Sequence, residues 1–308
     1  MAQTPLGQSA AAVKLPSPAQ PEGIGVVETT LQDPMLDEIL RRTKSLTAEG
    51  VQRALDYQRE KGVRLGEAII KLKLASAEDV MWALSQQFHY AYAANASTDL
   101  NAELVVAHRP FDDMVEVFRD LRTQLLMGGF GSADDRSALA VVSANRCDGK
   151  TFIAANLAIA FGQLPGRTVL VDADLRSPRL HEIFKVDTST GLTSVLSGRT
   201  EANVIRPVAD FPNLFLLPAG PTPPNPSELF LKPAFSLLLN ELTSKFDYVI
   251  VDTPAAEHGS DARVIASRCG ASFAVSRKNH SLLPQLQRLV TQMSKSGVKI
   301  AGVVMNEF

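Results

Sequence analysis

The 308-residue chain is long enough for one sizeable α/β domain with a smaller one beside it, and 45% hydrophobic residues suit a packed core. A net charge of −2 creates no global field that would draw the chain to nucleic acid or to an acidic membrane. Two cysteines, Cys147 and Cys269, suit a reducing cytosol rather than a disulfide framework; no apolar run reaches the roughly eighteen residues of a membrane span, and the N-terminus lacks a secretory pattern.

In chain order, residues 1–32 are rich in Ala, Gln, Gly and Pro (Pro5, Pro16, Pro18, Pro21), a composition expected to stay disordered. Residues 33–92 read as a helical module with a weak internal repeat. Ile39-Leu40, Leu46 to Val51, Ala54-Leu55 and Gln58 recur as Ile69-Ile70, Leu74 to Val80, Ala83-Leu84 and Gln87, a shift of about 29 residues. Thr47 and Ser76 stand where helix N-caps belong. Residues 93–109 read as a linker.

Residues 110–308 form the main domain. Met114, Phe118, Leu121 and Leu125 recur at helical spacing. Apolar strand candidates follow at Ala138–Val142, Val169–Val171, Leu214–Leu217, Tyr248–Val251, Ser272–Val275 and Ile300–Met305, with helical segments near 150–162, 227–243, 261–268 and 281–295. Such alternation predicts an α/β fold, a mostly parallel sheet with helices on both faces.

Three strand ends carry chemistry. After the first strand, Ser143-Ala-Asn-Arg-Cys-Asp-Gly-Lys-Thr151 reads as a phosphate-binding loop. Its Gly149 admits close backbone approach, Lys150 supplies charge to phosphate oxygens, and the Thr151 hydroxyl suits Mg2+. Ala144 stands where the usual loop has its first glycine. The second strand ends in Asp172-x-Asp174-x-Arg176, and the next acidic strand end is Asp252-Thr-Pro254. Carboxylates at i and i+2 of an extended chain share a side, so one can hold Mg2+ while the other takes a proton. Glu116, Arg119 and Arg122 form a polar stripe on the 110–126 helix, either a solvated face with an internal ion pair or a subunit contact.

Together these motifs resemble the bacterial tyrosine kinases, P-loop kinases unrelated to the eukaryotic ones, and within them the chain-length-determinant tyrosine kinases of exopolysaccharide operons, the EpsG type. The resemblance covers about residues 110–308. Lys150-Thr151 matches Walker A, Val169–Arg176 matches Walker A′, Val249–Pro254 matches Walker B, and Glu116-x-x-Arg119-x-x-Arg122 matches a ring-forming helix motif. Secondary matches are Leu217–Glu228, Gly191–Gly198 and Gly302–Asn306.

The resemblance implies a P-loop NTPase fold preceded by a small all-α domain, and ATP-dependent protein-tyrosine kinase activity with Mg2+. Asn145, Arg146, Cys147, Asp148, Gly149, Lys150, Thr151 and Phe152 would surround the nucleotide, with Asn306 facing the adenine. Asp172 would be the base or orienter of the tyrosine hydroxyl. Thr151, Asp174 and Asp252 would hold the metal, and Arg176 would support the phosphate or the A′ turn. Glu116, Arg119 and Arg122 would make a homo-oligomeric ring. The implied partner is a membrane chain-length-determinant protein whose cytoplasmic segment completes the site, leaving this chain cytoplasmic and peripheral to the inner membrane.

Two departures shape these expectations. Arg146-Cys-Asp-Gly-Lys150 replaces the family's Pro-Gly-Glu-Gly-Lys, and Cys147 in a left-handed glycine position would cost roughly 1 kcal/mol or more. Family members usually end in a tyrosine-rich tail, whereas this sequence ends at Phe308 and its tyrosines are Tyr57, Tyr90, Tyr92 and Tyr248, so the expectation is either that another protein is the tyrosine substrate or that the chain signals through ATP binding alone. A switch ATPase of the MinD/ParA type and a nucleotide-binding adaptor are the alternative functions. The first usually carries an early loop lysine that Ser143-Ala-Asn145 lacks. Arg64-Leu-Gly-x-x-Ile-Ile70 in the helical module resembles half of the type II secretion ATPase N-terminal domain, some members of which bind cyclic di-GMP through two Arg-Leu-Gly motifs. With Met35-Leu-Asp37 in the first half and Lys73 at a motif glycine, protein docking is the favoured expectation and cyclic di-GMP the alternative.

Overall fold

The computed structural model describes residues 36–42, 46–76, 79–80, 82–83, 100–108, 112–132, 137–199, 204–209 and 211–307. The expected disordered tail, linker residues 93–99, and Leu84, Gln87, Tyr90 and Tyr92 lie outside them.

The helical module comprises α1 (Leu36–Arg42), α2 (Ala48–Lys61) and α3 (Leu65–Lys71), with residues 79, 80, 82 and 83 also helical. Thr47 caps α2, its Oγ1 accepting the Gly50 N–H at 3.1 Å. Ser76 and Asp79 form a reciprocal capping box, each side chain accepting the other's N–H at 3.0 Å. Leu40, Ala54, Ile69, Val80 and Ala83 make the module's own apolar cluster. Gly66 of the Arg64-Leu-Gly motif serves packing, because a Cβ there would stand 2.9 Å from Val80 Cγ1. Lys73 takes the left-handed φ of 53° that suits a glycine.

Residues 100–108, read from the sequence as part of a linker, instead pack into the main domain. They carry the short helix α4 (Val105–His108), with Leu100, Leu104, Val106 and Ala107 buried. Four residues show no hydrophobic period, which is why the pattern missed them. The remaining elements in chain order are α5 (Asp113–Met127), β1 (Ala138–Ser143), α6 (Lys150–Gly162), β2 (Thr168–Asp172), α7 (Leu180–Phe184) and α8 (Leu192–Leu196). Then come β3 (Arg206–Val208), β4 (Phe211–Leu217), α9 (Pro226–Leu231), α10 (Pro233–Lys245), β5 (Tyr248–Asp252), a 3-10 turn (Ala256–His258), α11 (Asp261–Cys269), β6 (Gly270–Arg277), α12 (Leu283–Lys295) and β7 (Lys299–Asn306). The helix expected over 227–243 is two helices. Pro233 lacks an N–H and pushes Lys232 to an extended ψ of 145°, which ends α9 and starts α10.

The strands form one sheet in the order β3-β4-β2-β5-β1-β6-β7, parallel except for β3, a short antiparallel edge that the sequence pattern did not show. The α/β fold with a mostly parallel sheet and helices on both faces is as expected. One face packs on α4 to α7 and the other on α8 to α12. Central strands β1 and β2 are buried along their whole length, so they read as continuous apolar runs rather than alternations. Helix α6 buries eleven of its thirteen residues because α4 and α5 cover its outer side. Two of the three secondary motifs meet each other: the Leu192 N–H donates to Pro218 O at 2.8 Å, and a Cβ on Gly191 would collide with that carbonyl. Among the described residues no helix is long and apolar enough to cross a membrane.

Phe161 near the end of α6 is fully buried, its ring edge-on to Phe130 at 5.5 Å and tilted against Tyr248 at 4.7 Å. Phe161→Ala is expected to lower stability by about 3–5 kcal/mol, read as a fall in the urea midpoint at unchanged slope.

Candidate active site

Parallel strands point their carboxyl ends to one edge, and the loops after β1, β2 and β5 gather there. The chain leaves β1 toward β2 on one side of the sheet and leaves β5 toward β6 on the other, so the edge opens a crevice between the two connections. A cavity of about 660 Å³ lies at this crevice. Arg146, Cys147, Gly149, Lys150, Thr151, Phe152, Asp174 and Asn306 line it, so eight of the residues singled out from the sequence share one space. Its other wall is apolar, built from Met114, Val117, Phe118 and Leu121 of α5, with the Phe118 and Phe152 rings edge-to-face at 5.9 Å.

The loop runs from a buried strand into the buried N-terminus of α6, whose N-cap Gly149 has φ 94°. The helix dipole and the free N–H groups of its first turn therefore face the cavity, an arrangement that attracts phosphate. Lys150 is only 7% exposed yet lines the cavity. The Thr151 hydroxyl donates to Asp252 Oδ2 at 2.7 Å. The other oxygen, Asp252 Oδ1, is buried with no hydrogen-bond partner. A buried carboxylate oxygen left unpaired beside a threonine hydroxyl is the donor set that a hard divalent cation takes, so these residues fit Mg2+.

Asp172 and Asp252 end neighbouring strands in direct register and are both buried. Burial pushes the Asp252 carboxyl up to about 7, against the opposing pull of Lys150 and the Thr151 hydroxyl. Burial first, and then the Asp252 charge, holds Asp172 well above the usual carboxylate range. The Asp172 oxygens accept the N–H groups of Asp174 and Leu180, each at 3.2 Å. It thus sits behind the cavity wall and shapes the A′ turn, while Asp174 faces the cavity.

The relatives of this chain are named as tyrosine-protein kinases. The putative tyrosine-protein kinase CapB of Staphylococcus aureus is 31% identical over 66% of this chain and 89% of its own length. The chain belongs to the bacterial tyrosine-protein kinases. The tyrosine-protein kinase Ptk of Acinetobacter johnsonii is 32% identical, but the chain spans 28% of its length. Among solved structures, the kinase domain of the Escherichia coli tyrosine kinase ETK is 32% identical with a TM-score of 0.64, covering 68% of this chain and 82% of that one. The chimerical protein CapA2B2 is 30% identical with a TM-score of 0.62, covering 67% and 90%. No protein-family model matches the chain.

In this bacterial tyrosine kinase, Arg176 points away from the cavity. Its Nε donates to Asp261 Oδ2 at 2.7 Å and its Nη2 to Ser227 Oγ at 3.2 Å, and Ser227 also donates to Asp261. These bonds tie the A′ turn to Ser227 and Asp261. Glu116 and Arg119 pair along α5, and Arg122 Nη1 donates to Ala160 O at 2.6 Å in the last turn of α6. Asn306 donates from Nδ2 to Asp148 O at 3.1 Å as well as lining the cavity. Asp148 is wholly buried and lies outside the lining. Asn145 also lies outside the lining, its N–H on Asp148 Oδ2 at 3.1 Å.

Several site residues carried no sequence signal. Glu257 accepts the Arg146 N–H at 2.7 Å and binds back through its own N–H to Ala144 O at 3.1 Å, pinning the start of the loop. Ser177, Arg179 and His258 also line the cavity, with Arg179 Nη2 2.7 Å from Glu103 Oε1 at its rim. Each arises from a turn without a motif, so only the fold brings it in.

The raised Asp252 value has a thermodynamic consequence. An unfolded aspartate keeps its ordinary pKa, so between about pH 4 and 7 the folded chain holds a proton that the unfolded chain releases. The stability that this proton contributes is present at low pH and lost as pH rises through about 7. In metal-free buffer the melting midpoint is expected to fall by about 3–6 °C from pH 6 to pH 8. Asp252→Asn should flatten that decline, and so should saturating Mg-ATP, both read by calorimetry.

Proposed function

We propose that this chain is an ATP-dependent protein-tyrosine kinase of exopolysaccharide assembly, working with the cytoplasmic segment of a membrane chain-length-determinant protein. The observation that carries the chemistry is the unpaired, buried Asp252 oxygen beside the Thr151 hydroxyl, at the foot of the Lys150 loop. Lys150 and the first-turn N–H groups of α6 would hold the phosphates. Thr151 and Asp252 would hold Mg2+, which when bound draws charge from the transferring phosphoryl group. Asp174, facing the cavity, is assigned the tyrosine proton; its Oδ1 is already fixed by the N–H groups of Arg176 and Ser177 at 3.2 and 3.0 Å. The phenol oxygen then takes the phosphoryl group and ADP leaves. The apolar wall of α5 suits an aryl ring. Asp172, sealed behind Asp174, is assigned a positioning role in place of the base expected from the resemblance.

Purified chain with the partner's cytoplasmic segment, Mg-ATP and a tyrosine-bearing protein is the assay. Lys150→Met should weaken ATP binding by at least about tenfold. Asp174→Asn should cut phosphotyrosine formation by about a hundredfold or more, and Asp172→Asn by less than about tenfold. The reverse order returns the base role to Asp172. ATP hydrolysis with no phosphotyrosine identifies a switch ATPase of the MinD/ParA type.

Self-association is proposed to run through α5. Glu116 is exposed, and Arg119 pairs with it from a more buried position, so a neighbouring copy meets a preformed ion pair. Glu116→Ala/Arg119→Ala/Arg122→Ala is expected to sediment as a smaller species than wild type; an unchanged profile removes α5 from the contact. Because Arg122 also binds Ala160 O, Glu116→Ala alone is the variant that separates association from folding.

A further inference from the structure

We infer that the turn from Arg277 to Ser281, between β6 and α12, is a positioning clamp for the phosphate loop. It holds a left-handed residue that is not glycine in the geometry that receives phosphate. The inference rests on the nucleotide-binding reading of the cavity. Cys147 has φ 58° and Gly149 has φ 94°, two left-handed residues within three positions. Glycine takes that conformation freely, but a side chain there is strained. Such a conformation persists only where the surroundings over-determine it.

The surroundings do so at the next residue. Asp148 is wholly buried, and its carboxylate is held from both sides. Ser281 Oγ donates to Asp148 Oδ1 at 2.8 Å, with His280 Nδ1 3.3 Å from the same oxygen. The Asn145 N–H takes Oδ2. The carbonyls are held too: Arg277 Nη1 donates to Cys147 O at 3.4 Å and Asn306 Nδ2 to Asp148 O. The two peptide units that follow the strained position, Cys147–Asp148 and Asp148–Gly149, are thereby fixed by groups more than a hundred residues away.

Ser281 is the link that the turn cannot replace. Its Oγ accepts the Arg277 N–H at 2.7 Å while donating to Asp148, which uses the hydroxyl's single proton and an acceptor lone pair together. The turn is in turn tied to β7, the Lys278 N–H donating to Asn306 O at 2.9 Å. A threonine can make both bonds and an alanine neither.

The decisive measurement is Mg-ATP affinity of the full chain by calorimetry. Ser281→Ala should weaken binding about tenfold at an unchanged melting midpoint, and Ser281→Thr should stay within about twofold of wild type. In a Cys147→Gly background, where the left-handed geometry needs no holding, Ser281→Ala should cost less than about threefold. Equal affinity of Ser281→Ala and wild type overturns the clamp, and so does a Ser281→Ala loss of the same size in both backgrounds. Amide exchange of residues 144–152 without nucleotide tests the clamp separately: at least fivefold faster exchange in Ser281→Ala supports it, and unchanged exchange overturns it. A wild-type chain that binds no Mg-ATP overturns the kinase reading, and the exchange result then decides the clamp alone.

Discussion

Two carboxylates in register at the ends of adjacent buried strands, Asp172 and Asp252, are the constraint around which the main domain is arranged. Burying either charge without compensation is costly, and burying two side by side is worse. The chain meets that cost with fixed partners. Asp172 is spent on two N–H groups of the A′ turn, and Asp252 on the Thr151 hydroxyl in the field of Lys150. One Asp252 oxygen is left over, so the cluster beside Thr151 and Lys150 is short of positive charge. A cation held there relieves repulsion that the fold itself has built, which makes binding energy out of a structural deficit.

That deficit requires the phosphate loop to be stiff, and the loop cannot stiffen itself. It has no first glycine, and Cys147 stands in left-handed backbone. Its conformation is imported from three separate strand ends. Glu257, just past β5, pins Ala144 and Arg146. Ser281, past β6, pins Asp148, and Asn306 at the end of β7 pins the Asp148 carbonyl. All three strand ends lie at the same sheet edge because β5, β6 and β7 run parallel with β1, so one topological fact supplies every tether.

What the sequence made legible follows the range over which each signal acts. Strands such as Ala138–Ser143 are buried on both faces, and a short continuous apolar run reports that locally. Lys150-Thr151, Asp172-x-Asp174 and Asp252 were readable because the chemistry needs them at strand ends, within a few residues of each run. The partners that orient them were not. Arg176 finds Asp261 across 85 residues, Arg146 finds Glu257 across 111, and Ser281 finds Asp148 across 133. Neither composition nor period marks those acceptors. The same limit concealed the packing of residues 100–108: the Asn156 side chain accepts the Val106 N–H at 3.0 Å, a bond decided by α6 rather than by the segment. It also hid the division of labour in Asp-x-Asp, because period two predicts a shared side and says nothing about which carboxylate reaches the cavity.

The stripe on α5 shows how one helix can serve both cavity and surface. Its apolar side supplies Met114, Val117 and Phe118 to the cavity wall, and its polar side carries the Glu116–Arg119 pair. Arg122 ties it to the Ala160 carbonyl at the far end of α6, the helix whose first residue is Lys150. Helix α6 is buried almost all round, and a packed helix moves as a unit rather than bending to absorb a push. A load applied to α5 is therefore delivered at both ends of the site: directly through the wall residues, and along α6 to the loop that begins it. The outer surface of α5 and the loop at Lys150 share a mechanical element, so a change at one has to be accommodated at the other.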